Sequence, residues 1–144
     1  MTFLDLADGG RQLAALLGET VTEDTLLVAV PPGGVSVGAA VGEVLGRVVS
    51  PLSVSRDDSG VLVAIPIDVA GRRVVVVDDG VETGTAARAV VAALREAGAA
   101  HVVLAVPVCP REAEADLGRR YDAVIAVERP MVRRSLRWHY ESLA

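Results

Sequence analysis

Apolar residues in this chain come in unbroken blocks rather than in alternation. Residues 26–30, 74–77, 102–106 and 123–127 are runs of Val, Leu, Ile and Ala of strand length. A strand with one wet face would alternate, so such runs suit strands buried on both faces of a parallel sheet. Between them, apolar residues recur at helical spacing. Residues 8–17 predict a helix with Asp8 as N-cap, Leu13, Leu16 and Leu17 on one face, and Gly18 as its end. Residues 35–45 predict a second helix, with Gly38, Ala39, Ala40 and Gly42 allowing close packing. Residues 85–97, closed by Gly98, predict a third, and residues 111–117 a short fourth.

The stretch between residues 48 and 77 is less regular. Residues 48–55 predict a strand interrupted by Pro51, and residues 56–60 a polar, solvated turn. Residues 61–67 predict a strand that leads into the central strand, residues 73–77. Together these make a hairpin-like excursion. Residues 101–107 and 123–127 predict the last strands, and residues 132–142 a terminal helix. Strand and helix alternate through most of the chain, which implies an α/β fold. The expectation is a single doubly wound domain over residues 1–144, with a mainly parallel central sheet. In such folds ligands sit outside the carboxyl ends of the strands, where strand order reverses.

Composition narrows the functions available. Aromatic residues make up 3%, too few for base-stacking platforms, and the net charge of −5 argues against nucleic acid as partner. All 14 basic residues are Arg. Without Lys there is no phosphate-loop lysine, Schiff base or receiver-domain lysine. The lone Cys109 excludes an internal disulfide and reads as a small buried hydrophobe. No run reaches the length of a membrane span, and acids stand early in the N-terminus, so a cytoplasmic protein without membrane contact is expected.

The chemistry concentrates in residues 74–88, Val-Val-Val-Val-Asp-Asp-Gly-Val-Glu-Thr-Gly-Thr-Ala-Ala-Arg. A buried strand delivers Asp78 and Asp79 to its carboxyl end, and Thr83, Gly84 and Thr85 stand where a helix begins. Free N–H groups at a helix start attract anions, threonine hydroxyls add donors, and Gly84 lets a phosphate approach the backbone. Carboxylates accept from sugar hydroxyls and help hold a hydrated Mg²⁺. Glu82, between the two, is placed to act as a general base. Each piece alone reads equally as a turn or a helix cap; their direct succession is more specific.

This segment resembles the 5-phosphoribosyl-1-pyrophosphate (PRPP) motif of type I phosphoribosyltransferases. Residues 3–14, 28–35 and the Trp138–Glu141 tetrad are similar to a bacterial branch of small members of that family. The resemblance implies that Asp78 and Asp79, with Gly80, bind the ribose hydroxyls of PRPP. Glu82, Thr83, Gly84, Thr85 and Ala86 would cradle its 5′-phosphate, with Glu82 also contacting the base and assisting proton transfer. Pro32, Gly33 and Gly34 would form the pyrophosphate loop. Mg²⁺ would arrive mainly through PRPP, with no dedicated metal ligands, and a small base would be the acceptor. A homodimer is implied as well.

Two departures stand out. The related branch carries Arg where this chain has Pro32, so a cation is missing on the pyrophosphate side. The segment that would close over the site is reduced to residues 56–60, with one cation and two acids. The leading expectation is a phosphoribosyltransferase; the alternative is a module that senses PRPP or a nucleotide without turnover. Pro31-Pro32 is also a place for a cis bond in a tight loop. Arg88, His101 and the arginines at 129, 133, 134 and 137 read as solvated or structural, and the aromatics Trp138 and Tyr140 as packing.

Overall fold

The structure is a computed structural model describing residues 2–144. Along the chain run α1 (Leu6–Ala14), β1 (Thr25–Ala29), α2 (Gly33–Leu45), β2 (Val49–Pro51), β3 (Ser53–Asp57), β4 (Gly60–Ala64) and β5 (Arg73–Val77). These are followed by α3 (Thr85–Glu96), β6 (His101–Val108), α4 (Arg111–Arg120), β7 (Ala123–Glu128) and α5 (Leu136–His139). Five strands form one sheet in the order β2-β1-β5-β6-β7, each parallel to its neighbours.

The apolar blocks are apolar because both sheet faces are covered. On β5, Val74 and Val76 meet Val90 and Leu94 of α3 and Leu117 of α4. Val75 and Val77 meet Leu13 of α1 and Val37 and Val41 of α2. The period of two divides each strand between two aliphatic layers, as the doubly wound expectation requires. In α3, Ala87, Val90, Val91 and Leu94 form the single buried stripe of an amphipathic helix. The Tyr121 hydroxyl donates to the Ala87 carbonyl at 2.7 Å and ties the first turn of α3 to the end of α4. Cys109 is fully buried, and burial, with the Glu114 charge adding, pushes its thiol up to about 11.

Several boundaries differ from the sequence expectations. Asp5, not Asp8, caps α1: its side chain accepts from the Asp8 N–H at 2.8 Å, and the helix ends at Ala14. The strand expected over residues 48–55 divides at Leu52, whose side chain turns into the core. Its first part, β2, joins the main sheet beside β1, and its second part, β3, pairs antiparallel with β4. Strand β4 therefore belongs to a separate ribbon and does not join the sheet that holds β5. The expected terminal helix shrinks to one turn, because Tyr140 is drawn out extended to bridge Phe3. Thr2 and Phe3 N–H groups both donate to the His139 carbonyl at 3.0 Å. Among the described residues no helix is long and apolar enough to cross a membrane.

Candidate functional site

Strand β1 continues through α2 to β2 on one side, while β5 lies on the other. The carboxyl ends of β1 and β5 thus flank the point where strand order reverses, the position where open α/β sheets bind ligands. Ladder pairing of Ala29 with Val77 brings residues 30–34 beside the acid pair. A cavity of about 530 Å³ opens there, bounded by Pro31 and Pro32, the acid pair, residues 80–87, and Val54, Arg56 and Leu136.

The two loops singled out by the sequence meet at this cavity. The Asp79 N–H donates to the Asp78 carboxylate at 2.7 Å, and the Tyr140 hydroxyl donates to the Asp79 carbonyl at 2.7 Å. Gly34 is there because nothing larger fits. A Cβ at that position would lie 2.8 Å from the Val77 carbonyl oxygen and 3.0 Å from the Asp78 Cα. A Cβ on Gly33 would run into the Asp79 carboxylate. Gly33 and Gly34 therefore stand behind the acids, holding α2 hard against them, while Pro32 faces the cavity. The Asp79 carboxylate abuts the first residue of α2, where the helix end is electropositive. The Pro31–Pro32 peptide is cis.

Electrostatics follow from crowding. Burial lifts the Asp78 carboxyl well above the usual range, and the Asp79 charge adds to the lift; the Arg56 charge opposes it. Burial also raises Asp79, with the Glu82 charge adding, against the bond to Asp78. A pair held in this way favours a ligand that brings hydroxyl donors or a cation.

Thr83, Gly84, Thr85 and Ala86 form the opposite wall. Gly84 is the N-cap of α3 at φ 86°, a left-handed conformation that turns the chain sharply from the acidic loop into the helix. No side chain caps α3, so the first N–H groups of the helix, on residues that line the cavity, are left without a side-chain acceptor and suit an anion. The Thr83 and Thr85 hydroxyls lie 3.2 Å apart. Arg88, expected as a solvated residue, is drawn under this loop by a bond to the Thr83 carbonyl at 3.2 Å and to the Thr85 hydroxyl at 3.4 Å.

Glu82 reaches the other way. Its carboxylate accepts from the Leu136 N–H at 2.8 Å, and Leu136 seats over Gly80. The C-terminal segment thereby closes one side of the cavity, which no local pattern in the sequence reveals. Arg56 also differs from expectation. Its place in the sequence suggests a solvated turn, yet it is the only cation lining the cavity among the described residues. Its signal is the period of two that sets it on the same ribbon face as Val54, which packs on the core.

The fold that carries this site is shared with proteins of known structure. The family model for the phosphoribosyl transferase domain matches residues 3–130, and the chain belongs to that family. The structure is similar to that of the TT1426 protein from Thermus thermophilus, with a TM-score of 0.86 and 24% identity over 100% of this chain and 92% of that one. A purine phosphoribosyltransferase from Pyrococcus horikoshii superposes with a TM-score of 0.63 and 20% identity, covering 93% of this chain and 100% of its own. A hypoxanthine-guanine phosphoribosyltransferase from Bacillus anthracis gives 0.64 and 16%, over 88% and 77%. At these identities the superpositions establish the shared fold.

Proposed function

We propose that the protein transfers the 5-phosphoribosyl group of PRPP to a nitrogenous base and releases pyrophosphate. The observation that carries the reading is the convergence of the buried acid pair and the uncapped start of α3 on one cavity at the switch in strand order. A ligand with vicinal hydroxyls at one end and a phosphate at the other matches that pair of walls. The purine-specific names of two structural relatives support a purine as acceptor.

In this reading Asp78 and Asp79 accept from the ribose hydroxyls, and the N–H groups and hydroxyls of residues 83–86 hold the 5′-phosphate. The C1–oxygen bond to pyrophosphate breaks, and its electron pair leaves with pyrophosphate. A ring nitrogen of the base forms the new bond to C1, and its proton passes to the Glu82 carboxylate. Arg56, which also lines the cavity, would meet the charge that develops on the leaving group.

The acid pair fits Mg²⁺: two carboxylates with raised pKa gain from a cation, and one or two carboxylates plus substrate oxygens suit this ion. Two carboxylates leave most of the coordination of this ion to substrate oxygens and water, so it would come with PRPP. Once bound, it would spread the negative charge of pyrophosphate.

Two observations favour a second reading, a module that binds PRPP without turnover. Pro32 offers no cation, and the Glu82 carboxylate is already engaged by Leu136. The test is incubation with Mg·PRPP and single purine, pyrimidine or pyridine bases, following pyrophosphate release. Release with a purine supports transfer; calorimetric binding of PRPP without release from any base supports the module; no binding rejects both. A single-domain homodimer working in the cytoplasm belongs to the same proposal, and light scattering tests its oligomeric part.

A further inference from the structure

Arg88 lies outside the cavity, on the far side of the loop that faces it. Its guanidinium bonds the Thr83 carbonyl at 3.2 Å and the Thr85 hydroxyl at 3.4 Å, and so spans Gly84 from behind. The same Nη1 lies 3.4 Å from the Asp116 carboxylate on α4. Asp116 is itself held by Arg120, whose Nε reaches both carboxylate oxygens at 3.2 Å, and by Arg119 at 3.5 Å. Burial pushes the Asp116 carboxyl up, but its bonds to Arg120 and Arg88 outweigh this and hold it below the usual range. An ionised Asp116 thus anchors Arg88, and Arg88 anchors the loop.

We propose that Arg88 is a positioning residue for anion binding, a planar cation that fixes Thr83 and Thr85 from behind so that their donors converge on a phosphate. The inference rests on the functional reading above and extends it to a residue outside the cavity. Three features carry it. The guanidinium is the only group bonded to both threonines of the loop among the described residues. It is half-buried, which weakens screening of its charge toward an anion on the loop's other face. And Gly84, the residue it spans, has no side chain of its own and no side-chain cap to hold the turn. A lysine is a point charge and cannot make the same bridge.

The test compares wild type with Arg88→Gln, Arg88→Lys and Asp116→Asn by calorimetry, using Mg·PRPP, ribose 5-phosphate and Mg·pyrophosphate as separate probes. Melting temperatures without ligand confirm that each variant is folded. Arg88→Gln is expected to lose about tenfold in affinity for PRPP and ribose 5-phosphate, with pyrophosphate unchanged. Arg88→Lys should stay nearer to Arg88→Gln than to wild type. Asp116→Asn should show a smaller loss with the same ligand pattern, and it carries the test if Arg88→Gln does not fold. Equal affinities in wild type and the Arg88 variants would overturn the inference alone, as would an equal loss for pyrophosphate. Full recovery by Arg88→Lys would replace bracing by simple charge. Absence of PRPP binding by wild type would remove the functional reading, and the inference with it.

Discussion

The main-chain N–H of Leu136 donates to the Glu82 carboxylate at 2.8 Å across 54 positions of sequence. The residue expected to move a proton is therefore aimed by the C-terminal segment. Replacing Glu82 with Gln keeps an oxygen for that bond and removes the basic group. Turnover should fall by about 10² to 10⁴-fold with PRPP affinity nearly unchanged. Steady-state kinetics of pyrophosphate release measure the split, and an unaltered kcat would remove Glu82 from the chemistry. Leu136→Pro tests the aiming. Leu136 is the first residue of α5 and follows an extended Ser135, a setting that tolerates Pro. This variant should lose more kcat than Leu136→Ala, which retains the N–H.

Asp78 is expected to oppose folding and serve binding. Its pKa is raised by burial, so the folded state holds a proton that the unfolded chain releases at lower pH. Above the ordinary aspartate value the unfolded state binds fewer protons, and stability of the free protein falls as pH climbs toward the raised value. Asp78→Asn keeps the acceptor for the Asp79 N–H and removes the charge. Its melting temperature at pH 7 should exceed wild type by a few degrees, and the gap should close toward pH 4. PRPP binding should be lost. A lower melting temperature at neutral pH would contradict the buried-charge account.

PRPP binding by wild type should strengthen with pH over the same window, because ribose hydroxyls and Mg²⁺ both favour the ionised pair. Calorimetry from pH 5 to pH 8 follows it. Asp57, Asp116 and Asp122, whose carboxyls lie below the usual range, titrate at lower pH than this window, so they do not mask the effect.

Gly84→Ala places a Cβ at φ 86° and 3.0 Å from Arg88 Nη1. The left-handed conformation alone should cost about 1–2 kcal/mol, read from urea denaturation. Affinity for ribose 5-phosphate should fall as well, since the turn that directs the first N–H groups of α3 is disturbed. Destabilisation without loss of affinity would place the phosphate elsewhere.

Arg56 and Pro32 both line the cavity, and the proposal assigns both to pyrophosphate. Arg56→Ala should weaken Mg·pyrophosphate binding about tenfold and leave ribose 5-phosphate unaffected. Adding Pro32→Arg to that variant should restore much of the loss. If neither substitution changes pyrophosphate affinity, the leaving group lies elsewhere.

What the sequence reveals and what it hides divide by distance along the chain. The acid pair, the threonine loop and the first turn of the helix after it lie within a dozen residues, and their chemistry follows from strand end and helix start. The sheet's buried strands are equally plain, because being covered on both faces leaves a purely apolar run. Contacts that depend on the fold are not legible. Tyr140 reaches the Asp79 carbonyl across 61 positions. The terminal helix is shorter than expected over residues 132–142, because Tyr140 is held extended by a backbone bridge to Phe3. The break at Leu52 is hidden because either half of residues 48–55 has strand character, and only tertiary pairing assigns them to different sheets.

The β3–β4 ribbon shares no ladder with the five-stranded sheet; Val54, Val63, Ile65 and Ile67 hold it by packing. The ribose and phosphate walls are thus framed by the rigid sheet, while Arg56 is mounted on a part joined to it by side chains. The ribbon rests on the same aliphatic layer as α3, the helix that begins at the phosphate wall. Substitutions at the four packing positions are therefore expected to shift Arg56 without breaking any ladder bond of the five-stranded sheet.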